Sequence, residues 1–326
     1  MRWIQVASML ALAALACGTP AHAQSSGDNY PSRPIKMIVP LSPGTTTDIV
    51  ARTVADRLGA RLGQPVAVEN RQGAGGLVAT QAVLSAEPDG YTILMVNSQH
   101  VINPAVFKSL PYDTLRDFVG LALVAEAPSV VVVTPSLGVR TLKDFIALAK
   151  QKPDAINYAS SGVGSQTHLA GAYFASRAGI SMVHVPYKVS SEVVSDMITG
   201  RVQATFVPAA FLLGPIRDGK LLALAVTTKS AMRAPLEAPS VSDAALPGFE
   251  YATWFGFVAP AKVPGQVVER LSKALQSVAT EDDVKAKFQG LGIVSRTLGP
   301  REFDAYMKAD MDRLAPIIKA AGVTAN

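Results

Sequence analysis

Three consecutive threonines, Thr45, Thr46 and Thr47, follow Ser42-Pro43-Gly44 and precede Asp48. A second stretch of the same character, Ser160-Ser161-Gly162-Val163-Gly164-Ser165-Gln166-Thr167-His168, lies in the other half of the chain. Hydroxyls and glycine backbone at the start of a helix suit an anion, because the first helical N–H groups have no partner in the helix and the dipole is positive there. Each stretch sits between an apolar run and a helical pattern. Ile35 to Val39 precedes the first, and Val50, Val54, Leu58 and Leu62 recur every four residues after it until Gly63-Gln64-Pro65 ends the pattern. Ile156 to Ala159 precedes the second, which opens an apolar helix ending at Gly179. Both read as strand, loop, helix, and two such turns facing each other would clasp an anion between two helix N-termini. Asp48 and Arg52, four apart with the acid first, read as an exposed pair worth about 0.3 to 0.5 kcal/mol.

Other chemistries fit the residues poorly. Ser165 with His168 three residues on suggests a hydrolase, but there is no G-x-S-x-G elbow, and a base on the same helix start lacks the geometry a triad takes from separate loops. Outside the leader the histidines are His100, His168 and His184, without H-x-x-x-H spacing or cysteine ligands, so no metal is expected. Gly73, Gly75 and Gly76 in Glu69-Asn70-Arg71-Gln72-Gly73-Ala74-Gly75-Gly76 let backbone amides approach a ligand. Their spacing fits neither the dinucleotide fingerprint nor the phosphate loop, so no nucleotide cofactor, and no cofactor of any kind, is expected. Polar turns without a catalytic group are what a binding protein needs. Further polar or aromatic positions stand at the carboxyl ends of strands, where ligands of open α/β sheets gather: Ser98 and Gln99 with His100, Tyr187 with Lys188, and Ala209 with Phe211. Local capping or pairing is expected of His100, while Tyr187 either lines a cleft or anchors its turn.

The elements that must position these residues alternate. Apolar runs at Ile35 to Val39, Val66 to Val68, Thr92 to Val96, Gly120 to Val124, Val130 to Val133, Ile156 to Ala159, Val183 to Val185, Ala204 to Val207, Leu221 to Val226 and Phe255 to Val258 read as strands separated by helices, an α/β pattern with more strands than one ordinary sheet. Thr141-x-x-Asp144 opens a helix, Ser190 to Gly200 fits a short one with Val193, Val194, Met197 and Ile198 inward, and 234–247 reads as a proline-rich linker. Phe303, Met307, Leu314 and Ile318 mark a C-terminal amphipathic helix begun by Pro300. With 326 residues, 49% hydrophobic and 17% charged, the chain has room for two well-buried domains. Arg2, the apolar stretch Ile4 to Ala16 and Ala21-His22-Ala23 form a secretory signal over 1–23, so the mature protein is expected to be soluble and periplasmic. Cys17, the only cysteine, falls inside this leader; Ala14 stands where lipoprotein sites usually carry leucine, which disfavours lipid anchoring there. A net charge of +5 without a basic block gives no sign of nucleic acid binding.

Taken in order, Pro43-Gly44-Thr45-Thr46-Thr47-Asp48-Ile49-Val50-Ala51-Arg52, Val68 to Gly76, Pro88-Asp89-Gly90-Tyr91-Thr92, Ser161-Gly162-Val163-Gly164-Ser165 with His168-Leu169-Ala170, and Val185-Pro186-Tyr187-Lys188 resemble the Bug family of solute-binding proteins, the extracytoplasmic receptors of tripartite tricarboxylate transporters. The likeness covers nearly all of the mature chain. It implies a two-lobed periplasmic-binding-protein fold, type II-like, with crossing strands and an interdomain cleft. Lobe 1 would comprise 30–128 and 251–326, and lobe 2 would comprise 129–250. It implies no catalysis, a monomer, and a carboxylate ligand held by backbone amides, hydroxyls and ordered waters of Ser42 and Thr45 to Asp48 on one side and Ser160 to Gln166 on the other. Gly73 and His168 complete that set, with Ser98, Gln99, Tyr187, Ala209 and Phe211 reading the ligand's far end. The implied partners are the subunits of a tripartite tricarboxylate-type membrane permease; a sensor kinase served by the closed form, and an exported serine hydrolase, are the alternatives. Two departures add side chains near the cleft: Val189 stands where the family usually has glycine, and a second glycine often found near Thr45 is missing.

Overall fold

The structure, a computed structural model, describes residues 29–187, 190–228, 236–320 and 322–323. The expected leader at 1–23 with Cys17, and Lys188 and Val189, lie outside the described residues. The first apolar runs form β1 (Ile35–Val39), β2 (Val66–Asn70) and β3 (Thr92–Asn97), which pair in parallel with β1 central. Parallel pairing needs a crossover. The link from β1 to β2 is α1 (Thr46–Leu62), ended by Gly63 at φ 72°, and that from β2 to β3 carries α2 (Leu77–Leu84). After β3 comes α3 (Gln99–Val106).

The sequence suggested two strands at Gly120 to Val124 and Val130 to Val133. They are one, β4 (Phe118–Val133), buried along almost its whole length. Pro128 does not break it, because the strand changes neighbours there. Up to Pro128 it pairs antiparallel with β9 (Ala252–Pro260), and from Ser129 onward with β7 (Ala204–Pro208). The second half of the fold holds β5 (Asn157–Ser160), β6 (Val183–Pro186) and β8 (Leu222–Val226). Its helices are α4 (Leu142–Gln151), α5 (Gln166–Ala178), α6 (Ser190–Ile198), α7 (Leu213–Arg217) and α8 (Val241–Ala244). The chain then returns through β9 to α9 (Gly265–Ala279), α10 (Asp282–Gly290), β10 (Val294–Leu298) and α11 (Pro300–Ala320). The strands join in one hydrogen-bonded path, β2-β1-β3-β9-β4-β7-β5-β6, with β8 and β10 also on β4. The expectation that so many strands exceed one sheet is therefore corrected: β4 is long enough to belong to both halves.

Thr141 caps α4, its hydroxyl oxygen accepting the Asp144 N–H at 3.1 Å, as its spacing suggested. In α6, Val193 and Met197 are buried but Ile198, expected inward, closes the helix and is 42% exposed. The supposed linker carries α8, capped by Ser240. On one face of the first half, Met37, Val54, Leu58, Phe257 and Leu271 pack together; on the other, Leu94, Trp254, Phe303 and Met307 do. Phe145, Tyr158, Phe174 and Phe206 fill the second half, where Ile102 of α3 and Leu314 and Ile318 of α11 join them. Helix α11 thus packs in the cores of both halves.

Candidate functional site

The first turn follows β1. Thr45 is extended (φ −71°, ψ 159°), its Oγ1 accepting the Asp48 N–H at 3.4 Å and donating to the Ser42 carbonyl at 2.9 Å, so α1 begins at Thr46. Asp48 is 3% exposed. Its carboxylate accepts the Gly44 N–H at 2.9 Å, Arg52 Nε at 3.1 and 3.0 Å, and Asn70 Nδ2 at 2.8 Å. Burial alone would push this carboxyl up; the hydrogen bonds from Arg52, Gly44 and Asn70 outweigh it and hold it below the usual carboxylate range. The exposed pair expected from the spacing is therefore a half-buried one, with Asp48 inside and Arg52 half out. Asp48 ties the loop to the helix. The backbone N–H groups of Thr46 and Thr47 have no hydrogen-bond partner among the described residues, as the start of a helix requires.

The second turn follows β5 and repeats this plan. Ser165 caps α5 (φ −70°, ψ 159°), its Oγ accepting the His168 N–H at 3.2 Å and donating to the Gly162 carbonyl at 2.7 Å. The Ser161 N–H donates to Thr167 Oγ1 at 2.9 Å. Gly164 has φ 77°, a conformation that favours glycine, and a Cβ there would sit tight against Val323 at 3.3 Å and in ordinary contact with Val106 at 3.5 Å. Its N–H donates to His168 Nδ1 at 3.1 Å, which fixes the imidazole proton on Nε2. The His168 ring stacks on His184 with centroids 3.7 Å apart and planes 10° from parallel, and His184 Nε2 lies 2.6 Å from Ser160 Oγ. Burial and the neighbouring His184 push His168 down to about 4, and burial lowers His184 as well, so both are neutral near pH 7. His168 therefore braces the turn from behind. The Gln166 and Thr167 N–H groups again have no partner among the described residues.

Both turns open on one cleft. A cavity of about 530 Å³ has Thr45, Thr46 and Thr47 on one side and Ser161, Gly164, Ser165 and Gln166 on the other. A second, of about 440 Å³, is bordered by Ser160, Tyr187, Val193, Val207 and Phe211. Thr45, Thr46, Ser161, Thr167 and Pro208 line both, so the two are compartments meeting where the turns converge. No charged side chain lines either compartment among the described residues. Of the remaining sequence candidates, Gln99 lines the first compartment, its Nε2 donating to Asn103 Oδ1 at 2.9 Å.

Other candidates face elsewhere. Ser42 bonds Gln72 through its hydroxyl, and Ser98 Oγ accepts the Trp254 N–H at 3.0 Å. Gly73 yields its place on the wall to Gly75 and Gly76, and Ala209 is buried between the lining residues Pro208 and Phe211. Asp48 and His168 lie behind their turns. His100 is buried between Tyr112 and Phe118, away from the cleft, and burial pushes it down to about 4. Its Nε2 has no partner among the described residues.

Four residues outside the sequence candidates contribute. Asn97 donates through Nδ2 to Thr47 Oγ1 at 3.0 Å, joining the wall to the first turn. Thr253 and Phe255, two apart on β9, present one face to the cleft, and Thr253 Oγ1 donates to Gln166 Oε1 at 2.7 Å. Tyr251, two residues earlier, donates to the Gln166 carbonyl at 3.0 Å. The alternation Tyr251, Thr253, Phe255 was the available signal. Gln166 Nε2 is left buried without a partner among the described residues.

Residues 50–323 match the family described as tripartite tricarboxylate transporter family receptor, TctC. BugT of Bordetella pertussis (strain Tohama I) is 32% identical over 299 residues, covering 91% of this chain and 92% of its own length. A solved R. palustris protein with adipate superposes with a TM-score of 0.78 at 31% identity, covering 91% of this chain and 100% of that one. MatC from Rhodopseudomonas palustris with bound malate gives 0.74 at 25% identity, covering 89% and 100%. The two-lobed α/β fold is the one these solute-binding proteins share.

Proposed function

Since the chain belongs to the tripartite tricarboxylate transporter receptor family, the family of the Bug proteins, we propose that it is a periplasmic receptor that captures a small organic carboxylate between its two turns. It then hands the ligand to a membrane permease of that transporter type, without chemical change. In this reading the lobes are 30–128 with 251–326 and 129–250, with Ile102 of α3 and Leu314 and Ile318 of α11 packed into the second lobe's core, and they close over the ligand by bending at the strands that cross between them. The observation that carries this reading is the pair of helix N-termini on one cleft, with the Thr46, Thr47, Gln166 and Thr167 amides unpaired and no charged side chain on the described walls. Such a site holds an anion with neutral dipoles. The adipate and malate carried by the solved relatives belong to the same chemical class. The same geometry speaks against a Ser165 hydrolase, because His168 offers Ser165 only its backbone N–H while its ring accepts from Gly164.

The test is a thermal-shift screen of ligand-stripped protein against carboxylates, followed by NMR of the recovered ligand. A ligand at a hundredfold excess over its Kd stabilises the folded state by about 2.7 kcal/mol. Stabilisation by at least one acid, recovered unaltered, is expected, and Thr46→Leu with Ser161→Leu should abolish it while leaving the circular dichroism unchanged. A protein stabilised by no carboxylate, or a double variant of undiminished affinity, would overturn the reading.

A further inference from the structure

The two compartments differ in the hydrogens they can offer. In the smaller one the hydroxyls that line it alone, those of Tyr187, Thr205 and Ser160, each have a single proton to give and an acceptor inside the protein for it, whereas Thr46, at the junction, has no hydroxyl partner among the described residues. Tyr187 donates to Asp196 Oδ2 at 2.8 Å and Thr205 to the Ala159 carbonyl at 3.0 Å. Ser160 Oγ sits 3.1 Å from the Gly162 carbonyl and 2.6 Å from His184 Nε2. The rest of that wall is largely hydrocarbon, with Ile49, Val193, Val207 and Phe211. A carboxylate accepts hydrogen bonds and donates none, so one pushed into this compartment would meet lone pairs and aliphatic carbon.

The larger compartment also has apolar walls, at Leu41, Val106, Phe107 and Phe255, but it carries free donors beside them. Among the described residues Gln166 Nε2 has no partner, and Asn97 Nδ2 and Gln99 Nε2 each have one acceptor, Thr47 and Asn103, for two hydrogens. The unpaired amides of Thr46 and Thr167 lie where the compartments join. A ligand spanning that junction has one end among donors and the other among methyl groups and a phenyl ring.

Building on the receptor reading, we infer that the ligand is a carboxylate with a single charged end, held at the junction and the donor-bearing compartment. Its uncharged, apolar body, an aromatic ring or a branched or linear alkyl chain, fills the compartment lined by Ile49, Val193, Val207 and Phe211. The volume of about 440 Å³ lies within the range of small-ligand sites and leaves room for such a group.

Matched acids test this by calorimetry on ligand-stripped protein: hexanoate against adipate, and benzoate against terephthalate, each pair differing by one carboxylate at the far end. The monoacid of at least one pair should bind about tenfold more tightly or better, as expected for leaving a buried charged group without donors. Phe211→Arg, which puts a guanidinium in the apolar compartment, should reverse the order within that pair. Diacids that bind the unaltered protein as tightly as the monoacids would overturn the single-charge assignment and leave the receptor reading standing. If none of the four acids binds and the wider carboxylate screen is also silent, the receptor reading falls with it. Silence from these four alone, while the screen finds a di- or tricarboxylate, overturns only the assignment made here.

Discussion

Asp48 is the side chain on which the first turn depends, although it does not line the cleft. Asp48→Ala removes the acceptor of four contacts, from the Gly44 N–H, Arg52 Nε (two contacts) and Asn70 Nδ2. Hydrogen bonds to a charged group contribute about 1.5 to 3 kcal/mol each, but these share one carboxylate and are not additive. Arg52 is 48% exposed and recovers solvation, which discounts its share, whereas the Gly44 amide and Asn70 Nδ2 lose an acceptor that is itself buried, Asn70 keeping the Leu41 carbonyl. We expect a net loss of about 2 to 4 kcal/mol, or a fall in melting temperature of roughly 4 to 10 °C. Asp48→Asn should cost nearly as much, because an amide brings donors toward Arg52 and Asn70, themselves donors here. The loop from Ser42 to Thr45 would lose its tether, so ligand affinity should fall even under conditions where the variant is fully folded. Urea unfolding and calorimetry on the same preparation check both effects. The sign with pH also follows. The folded-state pKa is depressed, so this contribution is complete above the unfolded value of about 3.9 and is lost as pH falls through the lower folded value. A loss below about 0.5 kcal/mol for Asp48→Ala, or unchanged affinity in the folded variant, would refute the assigned role.

Two more predictions follow from buried groups away from the ligand walls. His100 and His168 are pushed down to about 4, and His184 is lowered, so the unfolded chain takes up protons that the folded protein refuses as pH drops below about 6.5. Stability should therefore be complete above about 6.5 and fall toward pH 4, by up to about 1.4 kcal/mol per pH unit for each of His100 and His168, with His184 adding in the same direction; a flat urea-midpoint profile across that window would contradict it. Asp310, 5% exposed, accepts Trp254 Nε1 at 2.8 Å and Arg313 at 2.6 Å. Asp310→Ala should cost about 3 kcal/mol or more in urea unfolding, with Asp310→Asn milder, and equal effects would place the loss in packing rather than in the carboxylate.

Both turns were legible from sequence because their chemistry is local. Cap, glycine and hydroxyl lie within a few residues of one another, and each follows an apolar run that can only be a strand. Most strands were legible for the same reason. Strand β10 was not, since Val294 is 51% exposed and Ser295, Arg296 and Thr297 carry no apolar signal; pairing with β4 makes it a strand. The fusion of two apolar runs into β4 was hidden as well. Pro128 reads as a break in sequence and is tolerated only because the neighbouring strand changes there. Within the site, spacing showed Asp48 beside Arg52 but not Asn70 and Gly44, which make it internal. Thr253 reaches the cleft from a strand far along the chain, through a topology that no local pattern encodes.

A cleft for an anion without charged side chains on its described walls has a physical rationale. The acids and bases near it are matched internally, Asp48 with Arg52 and Asp196 with Arg201, and the rings of His168 and His184 are neutral. A buried counter-ion would have to be stripped of water on each closing and left unpaired on each release, a penalty of several kcal/mol per ion. Helix amides carry no net charge and are held in place by Thr45 and Ser165 whether or not a ligand is present, so little reorganisation accompanies binding. A few such hydrogen bonds to a carboxylate, at about 1.5 to 3 kcal/mol each before the entropy of association, reach micromolar rather than picomolar affinity. That is the range in which a receptor both captures its ligand and lets it go. Specificity must then come from what surrounds the charge. In the receptor proposed here, the donor-bearing wall of Asn97, Gln99 and Gln166 and the apolar wall of Val193, Val207 and Phe211 would discriminate among ligands that the amides alone would hold equally well.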